Sequence, residues 1–247
     1  YPLNWNALIG LAKNNRVLWP LKPVHAISSF YSIYNNLTQE LNPERKEFID
    51  KNFGTKTLNM MKTVSNELIK DCLTMDPIQT AELMTETNEF YYCPYIYGFS
   101  NYSRKNYRKN ILKYIDVMNL SGKGPAGTHL GGTGIAISNV SKNKDLALEY
   151  AFWIASAECQ KSLFYESGGQ PGNSVAWEDE KINLETSDFF KATRKTLELA
   201  WVRPRHNGYM EFQDKSGNLI NEYLQSSISA ESICEKLCDM YNDSFKD

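Results

Sequence analysis

Three histidines, His25, His129 and His206, are the side chains best suited to proton transfer near neutral pH, and they lie far apart in the sequence. A triad built from such distant positions would still need a nucleophile, and no G-x-S-x-G elbow occurs. Ser121-Gly122-Lys123-Gly124 falls short of a phosphate loop, because residue 124 is Gly where G-x-x-x-x-G-K-[ST] places a hydroxyl for magnesium. Gly131-Gly132-Thr133-Gly134 precedes an expected strand, whereas a dinucleotide fingerprint follows a strand and opens a helix. The five cysteines (Cys72, Cys93, Cys159, Cys234 and Cys238) show no CxxC or Cys/His metal spacing. Cys234 and Cys238 are four apart and share one helix face, as buried thiols would. No catalytic residue, metal site or cofactor is expected from these patterns.

The informative pattern is a set of loops rich in Gly, Pro and aromatic residues. They are Trp19-Pro20-Leu21-Lys22-Pro23, Tyr92-Cys93-Pro94-Tyr95-Ile96-Tyr97-Gly98, His129-Leu130-Gly131-Gly132, Gly168-Gly169-Gln170-Pro171-Gly172 and Arg203-Pro204-Arg205. Each combines residues that hold backbone shape with polar or planar groups able to meet a polar ligand. Their chemistry suits non-covalent recognition rather than bond making.

Those loops must be held by a scaffold of 247 residues, enough for one large domain or two modest ones. With 27 Lys+Arg against 29 Asp+Glu the net charge is −2, which argues against a nucleic-acid partner. Aromatic residues make up 13% of the chain, with 15 Tyr, and they suit ligand sites as well as cores. No apolar run approaches the roughly 20 residues of a membrane span. The start, Tyr1-Pro2-Leu3-Asn4-Trp5, has neither an initiator Met nor a signal peptide, so the chain reads as processed or truncated.

Periodicity predicts helices over the opening residues from Trp5, over Ala26–Leu37, near Glu44–Asn52, over Lys56–Leu73, from Asp76-Pro77 to Thr85, and over Lys144–Ala155. A further helix starts after Ser156 and ends at Gly168-Gly169, and others follow near Ser187–Ala200, Asp214–Ser226 and Ala230–Asp243. Ala26–Leu37 reads as amphipathic, with Ile27, Phe30, Tyr31, Tyr34 and Leu37 inward. Strands are predicted at Val17–Trp19, within Glu89–Phe99 and at Ile135–Ser138. The sum is a helix-rich α/β chain.

Taken in order, these segments resemble the extracellular solute-binding proteins of ABC importers, in particular the family 1 group that includes sugar-binding proteins. Pro2-Leu3-Asn4-Trp5-Asn6-Ala7-Leu8 is similar to the P-x-T-W-x-E-L entry into the family's second lobe. Leu130-Gly131-Gly132-Thr133-Gly134-Ile135-Ala136-Ile137-Ser138, then Ser141-Lys142-Asn143-Lys144, a helix, and Ser156-Ala157-Glu158-Cys159-Gln160 resemble its G-G-x-G-x-A-I-S, S-K-N-K-E and S-P-E-x-Q. Arg203-Pro204-Arg205 to Tyr241 is similar to its closing helices.

The resemblance implies a type II periplasmic-binding-protein-like fold, with two lobes joined by hinge strands. Residues 1–91 plus 175–247 would form the second lobe and 92–174 the returning part of the first. About 100 residues of the family's first lobe precede the Pro2–Leu8 segment in other members. The Ile135–Ile137 strand and the helix at 144–155 are therefore expected to expose an apolar face, covered by a missing N-terminal segment or by another chain. The implied function is capture of a small polar solute, a carbohydrate being the expected case, and its delivery to an ABC permease in the membrane. The implied location is periplasmic or extracellular, with a lipoprotein-type anchor through a removed or absent N-terminal segment. Candidate ligand residues are Tyr95, Tyr97, Tyr102 and Tyr209 for stacking or hydroxyl contacts, and Lys22, His25, Asn101, His129, Gln170, Arg203 and Arg205 as polar groups. Gly131 and Gly132 would let the backbone approach. Arg203 and Arg205 are equally compatible with an anionic ligand. Two other classes stay open: a hydrolase or transferase using His129, Asp145 or Glu149 and a serine, and a truncated interaction module without ligand.

Overall fold

The structure, a computed structural model, describes residues 1–42 and 47–245. Among the described residues, α-helices run over Trp5–Lys13 (α1), Pro23–Thr38 (α2), Lys51–Ser65 (α3), Pro77–Glu86 (α4), Lys144–Ala155 (α5), Ala157–Lys161 (α6), Leu163–Glu166 (α7), Ser174–Trp177 (α8), Glu180–Glu185 (α9), Phe189–Glu198 (α10), Tyr209–Leu224 (α11) and Ala230–Asn242 (α12). Part of the helix predicted near Glu44–Asn52 lies outside the described residues. The Asp76-Pro77 start holds. The Asp76 side chain accepts from Ile78 and Gln79 N–H while Gln79 reaches back to the Asp76 N–H, a reciprocal cap worth ~1 kcal/mol.

The chain divides into two compact units. One comprises residues 1–97, 116–130 and 195–247, and the other 98–115 and 131–194. The division places 116–130 with the second-lobe segments of the sequence reading, and 175–194 with 98–115 and 131–174.

The first unit is organised by α2. Its eleven consecutive residues Ala26 to Asn36 are all buried, which corrects the amphipathic reading. One side packs on Phe48 and Trp201, and Phe48 in turn meets Phe212 in the same core. The other carries Ser28, Ser32, Asn35 and Asn36, whose polar groups must find partners because burying them unpaired is costly. They find them in the returning segment. Asn36 Nδ2 donates to the carbonyls of Ala126 (2.8 Å) and Gly124 (3.1 Å), and its Oδ1 accepts from Leu120 N–H at 2.7 Å. Asn35 Nδ2 donates to Gly127 O at 3.2 Å. Helices α11 and α12 pack against α2 and α3 and close the core.

The strands expected at 17–19, 89–99 and 135–138 do not form ladders. Among the described residues only two isolated parallel bridges occur, Val17 with Tyr92 and His129 with Trp201, both in the first unit. The physical reason is that a strand exists only against a neighbour, and Gly131–Ser138 runs without one.

The second unit has a small core of Tyr165, Ala176, Ile182, Phe189 and Phe190. Helix α5 contributes nothing to it: none of its residues is buried. Phe152 is 70% exposed and Leu146 67%, with Leu148, Tyr150 and Trp153 also exposed. The expectation of an uncovered apolar face on this helix matches what is seen.

Gly127 has φ +88°, and a Cβ there would lie 2.5 Å from Asn35 Cβ, whereas Gly122 at φ +79° has open space. Gly122→Ala is expected to lose about 1 kcal/mol through backbone strain alone. Gly127→Ala is expected to lose about twice that or more, because the returning segment must lift off α2. Urea unfolding of the two variants checks this; equal losses would contradict it.

Candidate functional site

The buried face of α2 also fixes a polar cluster at its N-terminal half. Ser28 and Ser32 stand one turn apart, and both grip His129. The His129 backbone N–H donates to Ser32 Oγ at 3.1 Å, and His129 Nδ1 lies 2.9 Å from Ser28 Oγ. The register is locked by the bridge to Trp201, where Trp201 N–H donates to Thr128 O and Leu130 N–H to Trp201 O. The ring of Trp201 packs on Tyr31 at 4.6 Å, and both lie about the His129 imidazole, with centroids at 5.9 and 6.2 Å.

Tyr97 closes the cluster from the strand-like run. Its hydroxyl is 3.3 Å from His129 Nδ1, and its ring meets His25 edge-on at 6.1 Å. Arg203 sits close enough to depress the basicity of His129 by like charge, and its Nη1 donates to Gln213 Oε1 at 2.9 Å. Burial holds His129 neutral, with its pKa lowered to about 4, and Arg203 adds to the same direction. His25 is also lowered by burial, with Asp76 opposing and Lys22 assisting. Tyr97 is raised by burial, with Ser28 and Arg203 opposing. Near neutral pH the cluster is therefore two neutral imidazoles, a phenol and one guanidinium. His129 Nε2 and His25 Nδ1 have no hydrogen-bond partner.

Of the sequence candidates, the first unit brings His25, Tyr97, His129 and Arg203 together. Lys22 is exposed at the start of α2 beside His25. Tyr95 is buried against Trp19, its hydroxyl without a partner. Tyr209 is a core residue, 1% exposed, and Arg205 is exposed. In the second unit, Gln170 holds its own loop: it accepts from Ser100 N–H at 2.7 Å and donates to Gly98 O at 3.2 Å. Tyr102 is buried with Tyr107 edge-on at 5.4 Å, Asn101 is half-buried, and Gly131 and Gly132 are exposed. Sequence reasoning missed Ser28, Ser32 and Trp201. The two serines, four apart and so on one face of a helix that also carries Phe30, Tyr31 and Tyr34, were the available signal.

Among the described residues, no group of His, Cys, Asp and Glu is placed to hold a metal ion. No helix among them is long and apolar enough to cross a membrane.

No family model matches the chain. Its fold is that of solved solute-binding proteins. Maltose-bound T. maritima MalE3 aligns at TM-score 0.79 and 15% identity, over 97% of this chain and 64% of that one. The Agrobacterium radiobacter K84 ABC transporter solute-binding protein, in complex with ribitol, aligns at 0.79 and 18%, over 99% and 65%. The Bdellovibrio bacteriovorus maltose/maltodextrin-binding domain MalE, bound to maltotriose, aligns at 0.71 and 15%, over 98% and 66%. The chain thus spans less than two thirds of the length of each of these three structures.

The depressed His129 has a stability consequence. The unfolded chain takes up a proton near pH 6.5 and the folded chain only near 4, so stability falls as pH drops through that window. The full difference is ~3 kcal/mol. His25 and His206, also lowered, act in the same direction. Urea unfolding at pH 7, 5.5 and 4.5 is expected to show this decline, with a shallower slope in His129→Gln. A slope unchanged by that substitution would contradict the assignment.

Proposed function

We propose that the chain is the larger part of a solute-binding protein that captures a small neutral polar solute, a sugar or polyol, and delivers it to an ABC permease. The observation that carries this reading is the buried, neutral His129 held between Ser28 and Tyr97 beside Arg203, with Nε2 left unpartnered. Such a cluster offers fixed donors and acceptors and an aromatic edge, which suits hydroxyl-bearing ligands. The fold supports it, since the solved proteins of this architecture carry maltose, maltotriose and ribitol. Within the first unit, His25, Tyr97, His129 and Arg203 are the groups proposed to meet the solute, with Lys22 exposed beside His25. The lobe to which 98–115 and 131–194 belong would be completed by further polypeptide over α5 and Gly131–Ser138. Export to the periplasm or cell exterior and an anchor preceding Tyr1 belong to the same reading.

A hydrolase reading has less support. The His129 ring bonds to Ser28 and Tyr97 rather than to a carboxylate, and a catalytic base is normally oriented by one.

Titration calorimetry with maltose, maltotriose and ribitol, against gluconate and inorganic phosphate, tests the proposal. Heat is expected from at least one neutral ligand, weakened about 10-fold or more in Tyr97→Ala. Heat from anions alone would overturn it.

A further inference from the structure

Hydrogen-bond accounting at His129 goes a step further, resting on the solute-binding reading. Ser28 Oγ lies 2.8 Å from Val24 O, and a carbonyl only accepts, so the single hydroxyl hydrogen of Ser28 is used there. Ser32 Oγ is occupied likewise, donating to Ser28 O at 2.8 Å while accepting the His129 backbone N–H. Toward the imidazole, Ser28 Oγ is then an acceptor, and the ring proton sits on Nδ1, 2.9 Å away. The Tyr97 hydroxyl, at a longer 3.3 Å from Nδ1 and also bonded to Ser28, turns its hydrogen to Ser28 Oγ rather than to the ring. The opposite tautomer would bury an N–H donor at Nε2 without a partner, and orphaned buried donors are rarer than orphaned acceptors. His129 is only 8% exposed, so the ring cannot turn its bare nitrogen to bulk water.

We propose that Ser28 positions His129 as the Nδ1–H tautomer, making Nε2 a fixed acceptor that takes a hydroxyl hydrogen from the solute and selects hydroxyl-bearing sugars or polyols over anions that carry no hydroxyl. An anion without a hydroxyl, such as acetate or sulfate, brings only lone pairs to Nε2, and a sugar or polyol hydroxyl brings the hydrogen it lacks. Arg203 supplies the complementary donor, one of its groups being held by Gln213. The titratable and charged groups facing the ring are Tyr31, Tyr97 and Arg203, none of which is a carboxylate. Because Nε2 is also shielded from solvent, the solute enters by parting the side chains over it, and exchanges an orphaned acceptor for a satisfied one.

Nitrogen-15 NMR of the imidazoles at pH 7 tests this in the 247-residue chain, with the His129 signals assigned by their loss in His129→Gln. Without ligand, Nε2 is expected to resonate as an unprotonated nitrogen. In Ser28→Ala the population is expected to shift toward the Nε2–H form, a change that a merely structural serine would not cause. Maltose or ribitol is expected to move the Nε2 signal, and acetate and sulfate, which carry no hydroxyl, to leave it unmoved. A wild-type ring protonated at Nε2 overturns the assignment and leaves the solute-binding reading standing. So does calorimetric binding of maltose or ribitol with Nε2 unmoved. No binding heat from any neutral probe overturns both, and is told apart because the tautomer is read without ligand.

Discussion

A helix buried along eleven residues and carrying five polar side chains within that stretch is the constraint from which the first unit follows. Each buried hydroxyl or amide of α2 needs a partner, and an unmade bond costs about 1–3 kcal/mol, a large share of a small protein's stability. Ser29 takes the Trp19 indole N–H, Ser28 and Ser32 hold His129, and Asn35 and Asn36 hold the loop from Leu120 to Gly127. The apolar side of the same helix supplies the core with Phe30, Tyr31 and Tyr34. Structure and candidate site thus share one element. The polar flank whose asparagines tie the 120–127 loop to the helix also carries the serines that orient the imidazole.

Much of the helical layout was legible in the sequence, because caps and periodicity are local. Asp76-Pro77 announced α4, and Ser156 opened α6 with its side chain on the Cys159 N–H. What the periodicity of α2 could not tell is that its polar face is also buried. That depends on Gly124–Gly127 lying about 90 residues downstream, and local pattern carries no information about such distant pairing. The strands were overread for a related reason: β-branched and aromatic composition marks a propensity, and only a neighbouring strand makes a ladder. His25, Tyr97, His129 and Arg203 were named from loop chemistry. Tyr209 was named on the same grounds, and instead lies buried in the core, edge-on to His206 and tilted against Phe212.

The second unit shows the complementary situation. A helix apolar on several sides belongs in an interior, yet Leu146, Leu148, Tyr150, Phe152 and Trp153 of α5 meet solvent. Nearby, Gly131–Ser138 is extended and unpaired. Exposed apolar area of this kind is characteristic of interaction surfaces, and the chain spans less than two thirds of the length of the solved structures it matches.

The central claim is that the α2 flank carrying Ser28 and Ser32, and gripping His129, recognises the solute. Backbone hydrogen exchange with and without saturating neutral sugar tests it most directly. The account predicts ligand-induced protection at residues 95–97, 128–132 and 201–203. Protection confined instead to the surface groove between α1 and α3, lined by Trp5, Lys56 and Met60, would contradict it.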